Sequence, residues 1–254
     1  MKKKIPYFLI LLLVITGCVS HKKEQIKIAS ATRSLGEAYM AQGNYIAALR
    51  ELLDAEKIIP LDPFLQYDLG LVYMAREKYD LAESHLKKAI ALKNDYTAAQ
   101  NSLGVVFMKQ KKWDAAITLF QKTADNLLYG TPHYPLSNMG WAFLGKDSLK
   151  EAEKNFKKAL KLNPNFINAI HGLATTYLAQ SQISIARQLL DKSILKYPDI
   201  PIFHADLAKA LEKLGLRKEA RQSWQQVIKL APESELTKEA VNELTRLSSG
   251  FDDL

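Results

Sequence analysis

From about residue 29 onward, apolar residues recur at spacings of three and four, the period of a helix with one buried stripe. Small residues punctuate the pattern at Gly36, Gly70, Gly104, Gly140, Ala174 and Ala208, at intervals of 34, 34, 36, 34 and 34. Three residues after each comes a large side chain: Tyr39, Tyr73, Phe107, Phe143, Tyr177 and Leu211. Twelve residues after each small residue stands an alanine: Ala48, Ala82, Ala116, Ala152, Ala186 and Ala220. Four further on comes Leu52, Leu86, Phe120, Phe156, Leu190 or Trp224. Pro60, Pro164, Pro198 and Pro232 mark unit ends, where a residue lacking an amide hydrogen stops a helix. Each unit reads as two antiparallel helices. The first small residue lets the helices approach closely, and the alanine meets it from the other side. One such pair cannot bury its own apolar face, whereas stacked neighbours can.

The units fall at 29–62, 63–96, 97–130, 133–166, 167–200 and 201–234, with Thr131 and Pro132 as a two-residue excess. Residues 235–248 read as a capping helix and 249–254 as a tail. The pattern resembles the tetratricopeptide repeat. That resemblance implies an all-α, right-handed superhelical solenoid of about six helix pairs. Two turns depart from the usual glycine-bearing form: Lys146-Asp147-Ser148 in the fourth unit and Ser181-Gln182 in the fifth.

The N-terminus does not join the pattern. Lys2, Lys3 and Lys4 precede an apolar run from Ile5 to Ile15, and Ile15-Thr16-Gly17-Cys18 follows. A basic start with a short greasy segment has the form of a secretory signal. The run is shorter than the roughly 20 residues a spanning helix needs. The four residues look like a bacterial lipobox, which implies a signal peptide over 1–17, acylation of Cys18 and a tether over 18–28. Several acyl chains supply the anchors that stable attachment requires. Val19 and Ser20 follow, with no aspartate at the position associated with inner-membrane retention, so the outer membrane is expected.

Composition then closes off several chemistries. The 254 residues carry one cysteine, so neither a disulfide within the chain nor a thiolate metal cluster is available. The formal charge of +8 overstates the basic character, because cleavage before Cys18 removes three lysines and no acid. Lysine clusters such as Lys154-Lys157-Lys158-Lys161 alternate with acids and accompany no base-reading module, so they read as a solvated face, with no nucleic-acid partner. His85, expected to be exposed, and His133, His171 and His204 fall at different unit positions. No phosphate-binding loop or zinc-protease motif occurs. Neither catalytic residues nor a metal, cofactor or small-molecule substrate is expected.

In tetratricopeptide arrays, positions 2, 5, 9 and 12 commonly face a groove lined by the first helices. Here they are Phe64, Tyr67, Leu71 and Met74 in the second unit, and Ala98, Asn101, Val105 and Met108 in the third. The fourth supplies Tyr134, Ser137, Trp141 and Leu144, and the fifth Asn168, His171, Thr175 and Leu178. An aromatic and apolar floor with a few polar points suits a protein segment. Leu71, Val105 and Leu178 are as well explained by packing between neighbouring first helices. The Lys/Asn clamp that holds a C-terminal carboxylate in some arrays is missing: Arg33 and Glu37, Tyr67 and Leu71, then Asn101 and Val105 occupy those positions.

Three stretches carry a closer likeness: Ala31 to Ala55, Asn101 to Phe120, and Tyr129 to Ala159 with its Tyr-Pro and Asn-x-Gly helix start after the longer turn. With the lipobox and the repeat count, the chain resembles the type IV pilus biogenesis and stability lipoproteins of the PilW/PilF type. The resemblance implies a non-enzymatic, periplasm-facing outer-membrane lipoprotein. It would act as a pilotin or assembly factor for the pilus secretin. A general periplasmic scaffold for peptidoglycan hydrolases or outer-membrane assembly components would share the same fold and anchor.

Overall fold

The computed structural model describes the backbone of residues 7–126 and 128–249, and the side chains of residues 21–126 and 128–248. The acylation expected at Cys18, the signal peptide and the tail fall outside the described side chains. All thirteen elements among the described residues are α-helices. They form two compact units, divided between Lys112 and Trp113.

The first unit holds α1 (Tyr7–Ala41), α2 (Tyr45–Glu56), α3 (Pro63–Ala75), α4 (Tyr79–Leu92) and α5 (Thr97–Lys109). α1 packs on α2 and α3 on α4, while α3 also touches α1 and α5. The first helices thus form one layer and the second helices another. Residues 21–28, within the stretch expected as a tether, are helical: they carry no Gly or Pro, and Glu24 lies 4.0 Å from Lys27 one turn away. Ala29, Ala48, Leu52, Ala55, Leu65, Leu69 and Val72 make the core, with Tyr39 and Tyr73 packed against it.

The second unit holds α6 (Trp113–Ala124), α7 (His133–Gly145), α8 (Leu149–Leu162), α9 (Ile167–Ala179), α10 (Ile183–Lys196), α11 (Pro201–Lys213), α12 (Arg217–Leu230) and α13 (Glu235–Ser249). α9 touches both α7 and α11, and α11 touches α13, which gives the same two layers. α13 covers the last pair: Ala240 and Leu247 join Ala208, Ala220 and the fully buried Trp224 in one cluster. The Trp224 indole donates to Glu212, 2.7 Å away, and Arg246 of α13 grips the same carboxylate.

The recurrent small residues act as the pattern predicts. A Cβ added at Gly36 would lie 2.8 Å from Leu52, at Gly70 2.6 Å from Leu86, and at Gly140 2.7 Å from Phe156. Each glycine therefore receives the large side chain sixteen residues later. Real Cβ contacts are essentially never that short, so a side chain at any of these three glycines would push the facing side chain out of place.

The turns within the pairs share one conformation. Gly43, Glu77, Lys111, Asp147, Ser181 and Gly215 all take positive φ, between 57° and 75°. In the first turn the Gly43 amide donates to Met40 O and the Asn44 amide to Tyr39 O, the paired bonds of a Schellman motif. Tyr73, Phe107, Phe143, Tyr177 and Leu211 accept the equivalent bond from the residue five positions on. Asp147 and Ser181 thus hold the glycine conformation without glycine. A side chain there costs about 1–2 kcal/mol, because Cβ crowds the carbonyl oxygen. Glu77→Gly is expected to stabilise the first unit by about 1 kcal/mol, and Gly215→Val to destabilise the second by a similar amount. Urea unfolding followed by circular dichroism, and by tryptophan fluorescence for the second unit, checks both signs.

Candidate functional site

The structure distributes the expected groove residues over the first-helix layers of the two units. In the first unit, Phe64 and Tyr67 converge on Tyr96 in the turn before α5. Phe64 meets Tyr96 edge-on, centroids 5.5 Å apart, and Tyr67 meets it at 5.0 Å. Lys93 places its ammonium 4.8 Å from the Phe64 centroid and 4.9 Å from Tyr96. The Arg33 guanidinium lies 5.5 Å from the Phe64 centroid. Asp62 caps the start of α3 by accepting from the Leu65 amide at 2.8 Å, and this sets Phe64 at the helix entry. Phe64 remains 41% exposed. Leu71, Met74, Asn101, Val105 and Met108 are half-buried.

Beside the rings lies a charge cluster. Arg33 donates to Glu37 at 2.8 Å and approaches Asp62 at 3.6 Å. Its Nε lies 3.1 Å from Asp68 Oδ2, an ion contact not aligned as a hydrogen bond. Burial, and then the neighbouring Glu37, push the Asp68 carboxyl up to about 7, and Arg33 only partly offsets them. Burial likewise raises the Tyr96 phenol. A folded-state value above the usual 3.8 means that the folded chain keeps the Asp68 proton where the unfolded chain has lost it. The associated stability is complete below 3.8 and lost as pH rises through about 7. Thermal melts of the first unit are therefore expected to weaken from pH 5 to pH 8, and Asp68→Asn to flatten that slope.

In the second unit the edge-on ring pair recurs seventy residues on. Tyr134 meets Phe166 edge-on at 4.9 Å, as Phe64 meets Tyr96, and His133 lies 4.9 Å from Phe166. Tyr134 is 45% exposed. Trp141 is half-buried: its ring meets Phe156 at 5.4 Å and His171 at 5.0 Å, and its indole donates to Asn168 at 3.0 Å. His171 Nδ1 lies 2.6 Å from Oδ2 of the buried Asp206. Leu144 and Leu178 lean on the core around Phe156. Ser137, expected to face the groove, is buried.

Several contributors escape the position rule used for the sequence. Tyr96 and Phe166 occupy the last position of their units, and Lys93 lies three residues before Tyr96. A sequence signal existed: Phe64 to Tyr134 and Tyr96 to Phe166 are both seventy residues apart. Arg33 to Asp68 and His171 to Asp206 are both thirty-five apart, a basic residue on one first helix facing an acid on the next. His85 is also not the exposed histidine expected. It stacks on Tyr73 at 5.2 Å, and its Nδ1 lies 2.8 Å from Gln66 Oε1. Burial there lowers its pKa.

These faces offer rings, the cations Lys93 and Arg33 in the first unit, and hydrogen-bonding groups. No group of three or more His, Cys, Asp or Glu side chains among the described residues could hold a metal ion. No described helix is long and apolar enough to cross a membrane.

Solved structures of similar fold include PilW, a widely conserved type IV pilus biogenesis factor. It matches with a TM-score of 0.74 and 21% identity, over 84% of this chain and 98% of PilW. The pilF structure of Pseudomonas aeruginosa matches with a TM-score of 0.68 and 22% identity, over 88% of this chain and 99% of that one. Among curated proteins, anaphase-promoting complex subunit 7 of Arabidopsis thaliana is 23% identical over 103 residues. That is 41% of this chain, which spans only 18% of that relative. Family profiles described as tetratricopeptide repeat match residues 67–127, 143–205 and 206–234. With these profiles together covering more than half of its length, the chain belongs to the tetratricopeptide repeat family.

Proposed function

We propose that this chain is a non-enzymatic assembly factor of a type IV pilus, anchored by lipid at Cys18 to the outer membrane and facing the periplasm. Its first-helix faces capture a segment of the secretin. The observation that carries this reading is the match to the whole length of PilW, a type IV pilus biogenesis factor, in a chain that opens with a lipobox-like sequence. The exposed Phe64 of the first unit and the exposed Tyr134 of the second, each braced by a second ring, each offer an anchor for an apolar side chain of the partner. Lys93 and the His171–Asp206 pair supply polar selection beside them. Binding to a membrane-tethered protein raises the partner's local concentration at the bilayer and covers its apolar surface before it multimerises.

Crosslinked co-purification from native envelopes tests the proposal. Recovery of a secretin is the expected result. Recovery of peptidoglycan hydrolases or outer-membrane assembly proteins without a secretin makes the chain a general scaffold instead. Cys18→Ser is expected to abolish acylation and leave unprocessed precursor, read by the mass of the intact protein.

A further inference from the structure

The second unit leaves large apolar side chains in solvent along one edge. Its helix pairs are hairpins. The C-terminal ends of α6, α8 and α10, and the turns after them, therefore share one edge, opposite the left-handed turns. Leu128, Leu162 and Leu195 sit there, 95%, 54% and 87% exposed. Lys158, Lys161 and Lys192 stand toward the same helix ends, all exposed. The ion pairs on α8 and α10 are Lys157–Glu153 and Arg187–Asp191, which leave those three lysines without an ionic partner among the described residues. The acids near this edge are Asp125, held by Gln121, Asp191, paired with Arg187, and Asp199.

A helix C-terminus favours a cation in its last turn, which accounts for lysines taken singly. It does not account for leucines kept in water beside them at three successive turns. Apolar side chains flanked by flexible cations are the composition of a surface that lies in a lipid headgroup layer. Lysines spaced one repeat apart suit a fluid array of phosphates, which rearranges to meet them. We infer that this edge of the second unit rests on an anionic phospholipid surface, with Leu128, Leu162 and Leu195 in the headgroup–acyl boundary and Lys158, Lys161 and Lys192 on the phosphates. The inference does not depend on which protein the first-helix faces capture.

The test uses the full chain reconstituted in vesicles, with Leu195→Cys carrying an environment-sensitive fluorophore. Gln182→Cys, at the opposite edge, is labelled in parallel, and the unsubstituted chain supplies any background from Cys18. In vesicles of phosphatidylglycerol and phosphatidylethanolamine, the probe at 195 is expected to brighten severalfold and shift to the blue, while the probe at 182 stays unchanged. The response should be absent in phosphatidylcholine vesicles. It should also be lost at about 1 M salt, where the Debye length falls to about 3 Å. Replacing Lys158, Lys161 and Lys192 with glutamine should abolish it too, while circular dichroism confirms an unchanged fold. No response at 195, an equal response in neutral vesicles, or an equal response at 182 overturns the inference.

Discussion

Phe156→Ala is expected to cost the second unit about 3–5 kcal/mol, the range for a fully buried phenylalanine. Its ring fills the space left by two glycines on different helices. A Cβ at Gly140 of α7 would approach it to 2.7 Å, and one at Gly172 of α9 to 2.2 Å. Ala152, Ala159, Ala169 and Leu173 surround it, so truncation opens a cavity shared by two repeats. All three tryptophans, Trp113, Trp141 and Trp224, lie in the second unit. Tryptophan fluorescence therefore isolates the unit, and its urea transition should move to lower denaturant. Circular dichroism should retain the share of the first unit, since repeat arrays lose cooperativity when one interface fails. The converse change, Gly172→Ala, overpacks the same site and is expected to cost about 1–3 kcal/mol. Combining it with Phe156→Leu, which vacates the space the new methyl needs, should cost clearly less than the two single changes added together. Strict additivity would show that the ring and the glycine do not meet.

The largest functional effect is expected from Phe64→Ala combined with Tyr134→Ala. Interface anchors of this type commonly contribute 2 kcal/mol or more, so capture of the secretin segment should weaken by roughly tenfold or more. Both side chains are substantially exposed, and their loss removes one edge-on ring contact each, about 1 kcal/mol of stability at most. Trp141→Ala is a poorer probe, because that ring leans on Phe156 and bonds Asn168, so its removal disturbs the core together with the face. Capture at wild-type strength by the Phe64/Tyr134 double variant, with an unchanged melt, would remove the aromatic faces from the proposed mechanism.

Much of this was legible in the linear chain. Helix pairing follows from apolar spacing and from a small residue meeting a large one sixteen positions on, as Gly70 meets Leu86. Such contacts repeat with the period of the array, so one rule covers every unit. The choice of Phe64, Tyr67, Tyr134 and Trp141 as face residues rests on the groove positions that the resemblance to tetratricopeptide arrays implies. Side-chain roles that depend on a neighbouring unit were not legible that way. Ser137 obeys the position rule yet is buried, and Trp141 is held partly by its own core. Tyr96, Phe166 and Lys93 reach the face from turns, where no helical period predicts direction. The Asp68 carboxyl departs from its usual behaviour because the packed helices bury it and bring Glu37 beside it. Local periodicity is a property of the chain and can be read along it. Burial, ring contacts and charge environment depend on distances between residues far apart in sequence, and those exist only once the helices have packed.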